Sequence, residues 1–236
     1  MVETAVKITP FFKQLSKKSQ DILLQNGVET TVREGTILFY EGDNAKSIYL
    51  IRSGKVRLSK MTIDHKKFFL HLKKDHDIIG EFSLFNDMSV SMTAEVVENS
   101  TLIKFNQDHL EALFLQYGEI AVAFIKLFAR NTQSTQAKFS DLLLYGKVGA
   151  LYSILIRFSN SYGIKYDNDI LINVKLTNQD IANYIGTTRE TANRMLQDLK
   201  RAKIIAFIDG NILIKNIDYL KNHLGCGKCP IEICTM

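Results

Sequence analysis

Three thiols stand at the end of the chain, Cys226, Cys229 and Cys234, spaced Cys-x2-Cys-x4-Cys. Gly225, Gly227 and Pro230 permit tight turns around them, so three soft sulfur ligands can converge on one point. Three chemistries fit these residues: an iron–sulfur (4Fe-4S) cluster, a structural zinc ion, or free thiols that exchange with disulfides. Zinc takes four ligands, and His223, three residues before Cys226, would complete a site of three cysteines and one histidine. A cluster also needs a fourth ligand, yet the preceding 225 residues hold no cysteine. Three thiols close no disulfide framework, and the first stretch, MVETAVKITPFFKQLSKK, lacks a signal peptide's apolar core, so a reducing cytoplasm is expected.

A second constellation lies between Thr177 and Lys203. Thr177, with Asp180 three residues on, has the form of a helix start, and Gly186 can take the positive φ that turns the chain into a second helix from Thr187 or Thr188. Arg189, Glu190, Asn193 and Arg194 then share one face, with Ala192, Met195, Leu196 and Leu199 opposite. Arginine offers a bidentate fork to guanine, glutamate accepts from the cytosine amino group, and Thr191 and Asn193 add base or phosphate contacts. Five basic and two acidic residues between 189 and 203 leave a local excess of +3, much of the whole-chain +5. This is the equipment of a major-groove reader of double-stranded DNA rather than of a solvated Arg–Glu face.

Around these residues the spacing predicts the supporting elements. A helix is expected over 10–26, with Pro10 in its first turn and Gly27 past its end. From Val28 to about Phe105 short β-rich runs, Thr36–Tyr40, Ile48–Ile51, Val56–Leu58 and Val96 onward, are punctuated by Gly35, Gly42, Gly54 and Gly80, the texture of a small antiparallel roll. Between 107 and 145 Gly118 is the only glycine and proline is absent. There a seven-residue frame, Ala121, Ile125, Phe128, Thr132, Thr135, Phe139 and Leu142, forms an apolar seam suited to a second copy of the same helix. A helix over 147–160, a strand at Ile170–Val174, helices Asn178–Tyr184 and Thr188–Lys200, and a hairpin turning at Asp209-Gly210-Asn211 follow. The fold class is α+β, and helix, helix, helix, hairpin is the winged helix-turn-helix order. Expected boundaries are 1–106 for the roll with its first helix, 107–145 for the dimerisation helix, 146–225 for the DNA-binding domain and 226–236 for the cysteine tail.

Nearly the whole chain resembles a Crp/Fnr-family transcription regulator. The blocks EGDNAKSIYLIRSGKVRLSK and DIIGEFSLFNDM, the long central helix and TRETANRMLQDLKRAKII fall in that family's order. The resemblance implies a cyclic-nucleotide-binding-like β-roll, a homodimer, a palindromic TGTGA-type DNA site read by Arg189, Glu190 and Arg194, and RNA polymerase as a partner. In nucleotide-binding relatives Gly80-Glu81 would contact ribose, and a following arginine would neutralise the phosphate. Here 82–97 contains no lysine or arginine and that position reads Met92-Thr93, so Gly80 and Glu81 are a retained turn and no cyclic nucleotide is expected. The tail is similar to that of the Gram-positive Fnr branch, in which an aspartate near the end of the dimer helix completes a 4Fe-4S site. The matching residue is Asp141, so the implied metal ligands are Cys226, Cys229, Cys234 and Asp141.

Other function classes fare worse. A helix-borne membrane span is not expected, because no apolar run approaches ~20 residues. An enzyme is not expected either: no dinucleotide glycine motif and no His-Asp-Ser constellation appears, and the five histidines, 65, 71, 76, 109 and 223, are scattered. The alternative reading is a small-molecule-gated regulator with structural zinc or free thiols in the tail. The tail is expected to lie far from the seam, so Cys229→Ser is expected to leave the dimer intact.

Overall fold

A computed structural model describes residues 10–80, 89–226 and 229–236. Glu81, paired with Gly80 in the turn read above, lies outside the described residues, as do 82–88. Two compact units are present, one from Thr9 to Ala129 and one carried by Arg130–Met236.

In the first unit the opening helix is shorter than its pattern suggests. Phe12–Gln14 form a single 3-10 turn, and α1 (Lys17–Gln25) begins only at Ser16, whose side chain caps it by accepting from the Ser19 N–H at 3.3 Å. The capping hydroxyl outcompetes Pro10 as the helix start, because it satisfies an otherwise orphaned donor. Gly27 is not a left-handed cap; a Cβ there would stand 2.7 Å from the Phe105 ring, so close packing explains the glycine.

The roll is a six-stranded antiparallel sheet made of β1 (Val28–Val32), β2 (Ile37–Phe39), β3 (Ser47–Met61), β4 (Lys67–Lys73), β5 (Ile78–Ile79) and β6 (Thr93–Asn106). Its spine runs β1-β6-β3-β4, with β2 on β6 and β5 on β3. The two runs separated by Gly54 are one strand, since Gly54 at φ 104° sits in a register shift rather than a turn. Ile48 and Leu50 point into one core with Ile103, Phe105 and the helices, while Tyr49 and Ile51 point into the other with Val56, Val96 and Leu102. Burial on both faces explains why this strand reads as a continuous apolar run. Helix α2 (Gln107–Gln116) is capped by Asn106, and the chain breaks at Tyr117 before α3 (Gly118–Tyr162). Phe124 of α3 packs 4.8 Å from both Phe11 and Phe114.

The second unit depends on one interruption. Helix α3 is broken at Gly146, at φ 61° and ψ −156°, a backbone conformation open essentially to glycine alone. Ser153 hydrogen-bonds Asp141 and Arg157 hydrogen-bonds Ser134, pairs 12 and 23 residues apart. In a straight helix the wider pair would lie about 35 Å apart, so the arm after Gly146 folds back on the arm before it. Gly149 permits the approach, because a Cβ there would meet the Asp141 carbonyl at 2.8 Å. By length and hydropathy part of α3 would qualify as a membrane span, but the chain reverses, and Leu151, Leu155 and Phe158 are fully buried in this unit.

After the reversal come β7 (Gly163–Tyr166), β8 (Asp169–Ile172), α4 (Asn178–Ile185), α5 (Arg189–Arg201), β9 (Ile205–Ile208), β10 (Asn211–Ile214) and α6 (Ile217–His223). The hairpin belongs to a four-stranded antiparallel sheet ordered β7-β8-β10-β9. Strand β7 has too little alternation to be read from its sequence, and α6 is too short for a clear period; both are fixed by the neighbours they pack on.

Candidate metal centre and nucleic-acid interface

The reading helix is built from local signals. Thr177 and Asp180 form a reciprocal capping box at the start of α4, and Gly186 ends it in the left-handed conformation at φ 63°. Thr188 caps α5 by accepting from the Thr191 N–H at 3.3 Å. Ala192, Leu196 and Leu199 are buried and Met195 is half-buried, which leaves Arg189, Glu190, Asn193 and Arg194 exposed. Among the described residues, Arg189, Glu190 and Arg194 take no hydrogen-bond or ion-pair partner, so their donors and acceptor face solvent. Asn193 accepts from the Asn178 amide at 2.9 Å, which ties the two helices, and the half-buried Thr191 is held to Thr188 at 3.1 Å. Lys147 reaches the Thr187 hydroxyl at 3.4 Å and adds a cation beside the helix-turn-helix turn.

The tail is fastened to the second arm of α3. Cys226 donates its N–H to the Lys221 carbonyl at 2.9 Å, and a 3-10 turn spans Ile231–Ile233 before Cys234. Arg157 Nη1 donates to the carbonyls of Ile233 at 2.8 Å and Thr235 at 3.3 Å, on either side of Cys234. Asn160 donates to the Cys234 carbonyl itself at 2.8 Å, and the Met236 N–H donates to the Ser161 hydroxyl at 2.9 Å. Three successive carbonyls and the last amide are thereby held by side chains of one helical arm.

Asp141, the implied fourth ligand, is half-buried and engaged. Its Oδ2 accepts from the Ser153 hydroxyl at 2.6 Å and lies 3.9 Å from Arg157 Nη2. Arg157, with 1% of its side chain exposed, also donates from Nε to Ser153 at 3.1 Å and from Nη1 to Ser134 at 3.0 Å. Burial draws its pKa down, while the negative charges of Cys234, Asp141, Cys226 and Cys229 draw it back up. Burial pushes the Cys234 thiol up and the Arg157 guanidinium opposes the shift. The Cys226 thiol is also raised, by burial and then by Cys234, Asp141 and Cys229. Asp141 and the backbone around Cys234 thus flank one buried cation, and Cys226 and Cys229 lie near enough to act on its charge. Among the described residues, no three of these side chains are drawn together as ligands of a single ion. The donor set fits an iron–sulfur centre in its chemistry: three soft sulfurs, one harder oxygen, and a cation to offset their charge.

His223, the fourth ligand of the zinc alternative, packs into an aromatic group, 4.9 Å from the Tyr152 ring and 5.9 Å from Tyr145. The expectation that the tail is remote from the seam is corrected. Through Arg157 it is joined to Ser134 and Asp141, on the same arm that carries Thr132, Thr135, Phe139 and Leu142. That arm keeps Phe139 60% and Leu143 65% exposed, and Ile125, earlier on α3, is 65% exposed.

A cyclic nucleotide-binding domain model matches residues 29–117 and a Crp-like helix-turn-helix domain model matches residues 150–223. The chain is 39% identical over 224 residues to the anaerobic regulatory protein of Bacillus subtilis, covering 94% of each. The chain belongs to the Crp/Fnr family of transcription regulators. Among more distant Crp/Fnr relatives, it is 24% identical to the CRP-like cAMP-activated global transcriptional regulator of Mycobacterium tuberculosis, covering 79% of this chain and 83% of that one. The fold is shared with a CooA mutant from Carboxydothermus hydrogenoformans, at TM-score 0.76 and 18% identity over 93% of this chain and 97% of that one. This Crp/Fnr chain is a regulator and not an enzyme.

The surroundings of two arginines of this family member escaped the sequence. Arg157 sits in an apolar helical run, Leu151 to Phe158, where its charge gives no hint of its partners. Within the roll, Arg57 pairs with Glu95 at 2.9 Å and stacks 4.1 Å from the Phe69 ring centroid, so an arginine lies inside the roll although none occupies 82–97. At the expected phosphate-arginine position, Met92 packs on the roll core and the Thr93 hydroxyl accepts from the Glu41 N–H at 3.0 Å.

Proposed function

We propose that this Crp/Fnr regulator is an oxygen-responsive homodimer of the cytoplasm that binds a palindromic TGTGA-type site when a C-terminal 4Fe-4S cluster is intact. The observation that carries the reading is that buried Arg157 joins Asp141 to the backbone on both sides of Cys234, with Cys226 and Cys229 near enough to act on its charge, within the unit that also holds the reading helix. The similarity to an anaerobic regulatory protein supports the same conclusion. Cys226, Cys229 and Cys234 would supply the sulfur ligands and Asp141 the fourth. A bound cluster supplies an oxygen-labile link among these four residues, and the carboxylate is its harder, more easily released ligand. Asp141 lies five residues before the Gly146 break, so a tie between it and the tail restrains the chain where the dimer helix gives way to the DNA-binding elements.

On DNA, Arg189, Glu190 and Arg194 would read base edges, Thr191 and Asn193 would add base or phosphate contacts, and two half-sites one helical turn apart would match a two-fold dimer. The seam from Ala121 to Leu142 would pair the protomers, and RNA polymerase is the partner of the DNA-bound form. No cyclic nucleotide is needed, because no cation of 82–97 would meet its phosphate. Anaerobic purification followed by iron, sulfide and absorbance analysis tests the proposal, together with DNA affinity before and after air. A colourless protein with stoichiometric zinc would favour the effector-gated alternative, which heat-stability shifts with candidate ligands would then expose.

A further inference from the structure

We propose that Arg157 is a positioning residue that seats Cys234 against the second arm of α3 and turns the same guanidinium toward Asp141, so that the two distant ligands are brought together by the chain itself. The proposal rests on the cluster reading only in its second readout.

The geometry singles out this side chain. Arg157 is nearly inaccessible, at 1% side-chain exposure, yet its one carboxylate neighbour among the described residues is held at 3.9 Å, the outer limit of an ion pair. Its direct hydrogen bonds go to neutral groups: the hydroxyls of Ser134 and Ser153 and the carbonyls of Ile233 and Thr235. A buried cation is expensive to desolvate, and neutral acceptors offset only part of that. The remaining compensation comes from the Asp141 carboxylate, 3.9 Å away. Arg157 is therefore best satisfied when Asp141 and the tail carbonyls are held around it together.

The guanidinium also solves a spacing problem. One edge, through Ser153, fixes Asp141: the Ser153 hydroxyl accepts from Nε at 3.1 Å and donates to the carboxylate at 2.6 Å. Nη1 grips the backbone on both sides of Cys234. A planar fork can serve both directions at once, and an ammonium on a flexible stem cannot. Asn160 and Ser161, one turn onward, continue the grip on Cys234 and Met236.

Hydrogen–deuterium exchange on the metal-free protein tests the seating without reference to iron. In Arg157→Met the peptide over 229–236 should exchange at least about tenfold faster, the equivalent of ~1.4 kcal/mol in local opening, while the α5 peptide over 189–201 stays as in the parent. Arg157→Lys keeps the buried charge and loses the fork, so it should fold and still show the faster tail. Unchanged tail exchange in Arg157→Lys overturns the proposal even if Arg157→Met does not fold. After anaerobic loading, the midpoint potential should fall in Arg157→Met and return toward the parent value in Arg157→Lys, because only the first loses the positive charge beside the ligands. A purely scaffolding residue would leave that potential unmoved, and this result would also overturn the proposal's electrostatic half. A parent protein that holds no iron would sink the function proposed above, and the seating would still be decided by exchange.

Discussion

Arg189, Glu190, Asn193 and Arg194 occupy two turns of a single helix, whereas Asp141, Arg157 and Cys234 come from two arms of a broken helix and the far end of the chain. The first group is positioned by caps and a three-residue apolar stripe that any local window contains. The second is positioned by hydrogen bonds between residues 12 to 78 apart in sequence. The difference teaches how each site fails: a local site degrades one contact at a time, and a gathered site loses its ligands together.

The largest expected effect follows from that contrast. Cys229→Ser should abolish iron retention and with it anaerobic site-specific binding, while Arg194→Ala keeps full iron content; colorimetric iron and sulfide with anaerobic mobility shifts would show both. Size-exclusion chromatography should find the Cys229→Ser dimer intact, since the Cys229 thiol is exposed and not among the tail's backbone ties to α3. An iron-free Arg194→Ala would break the comparison by coupling the two sites.

Next is Gly146→Ala. The backbone there is strained for any side chain although nothing lies within 4 Å of an added Cβ, so the loss is conformational and not steric. A penalty of about 1–3 kcal/mol is expected, read as a lower thermal midpoint. It should appear in the metal-free protein as well, because the fold-back of α3 precedes any metal.

Arg194→Ala should weaken binding by ~1 to 3 kcal/mol and relax the preference for guanine in the half-site. Anaerobic titrations on matched and substituted sites would measure it, and equal weakening on all sequences would reassign Arg194 to a phosphate contact. The smallest effect is that of Thr188→Ala, about 1 kcal/mol from the lost α5 cap, visible in unfolding and in DNA affinity but not in tail exchange. The effects of Arg194→Ala and Thr188→Ala should both be confined to the reading helix.

Legibility in the sequence followed the same division. The helix-turn-helix was readable because Thr177, Asp180, Gly186 and Thr188 announce their roles within a few residues, and α4 and α5 begin and end within a residue of the positions expected. The roll was readable as a class, but one long strand looked like two, because a glycine inside a register shift carries the same signal as one in a turn. The first helix was placed too early, since apolar spacing is shared by a 3-10 turn and an α-helix when both pack on one core. Asp141 came from resemblance alone, and Arg157 from neither pattern nor resemblance.

The sequence alone carried the helix, helix, helix, hairpin order of the DNA-binding elements, the face of α5 that holds Arg189, Glu190 and Arg194, and the presence of three thiols with no fourth cysteine. These are properties of neighbours along the chain, set by backbone preferences and by the period of apolar residues. Only the tertiary structure decided that α3 reverses at Gly146, that Asp141 is engaged rather than exposed, and that a buried arginine joins it to the tail. The physical reason is that burial and charge compensation depend on which residues meet in space. The environment of Arg157 is made by Ser134, Asp141, Ser153, Ile233 and Thr235, and no window of sequence contains them all.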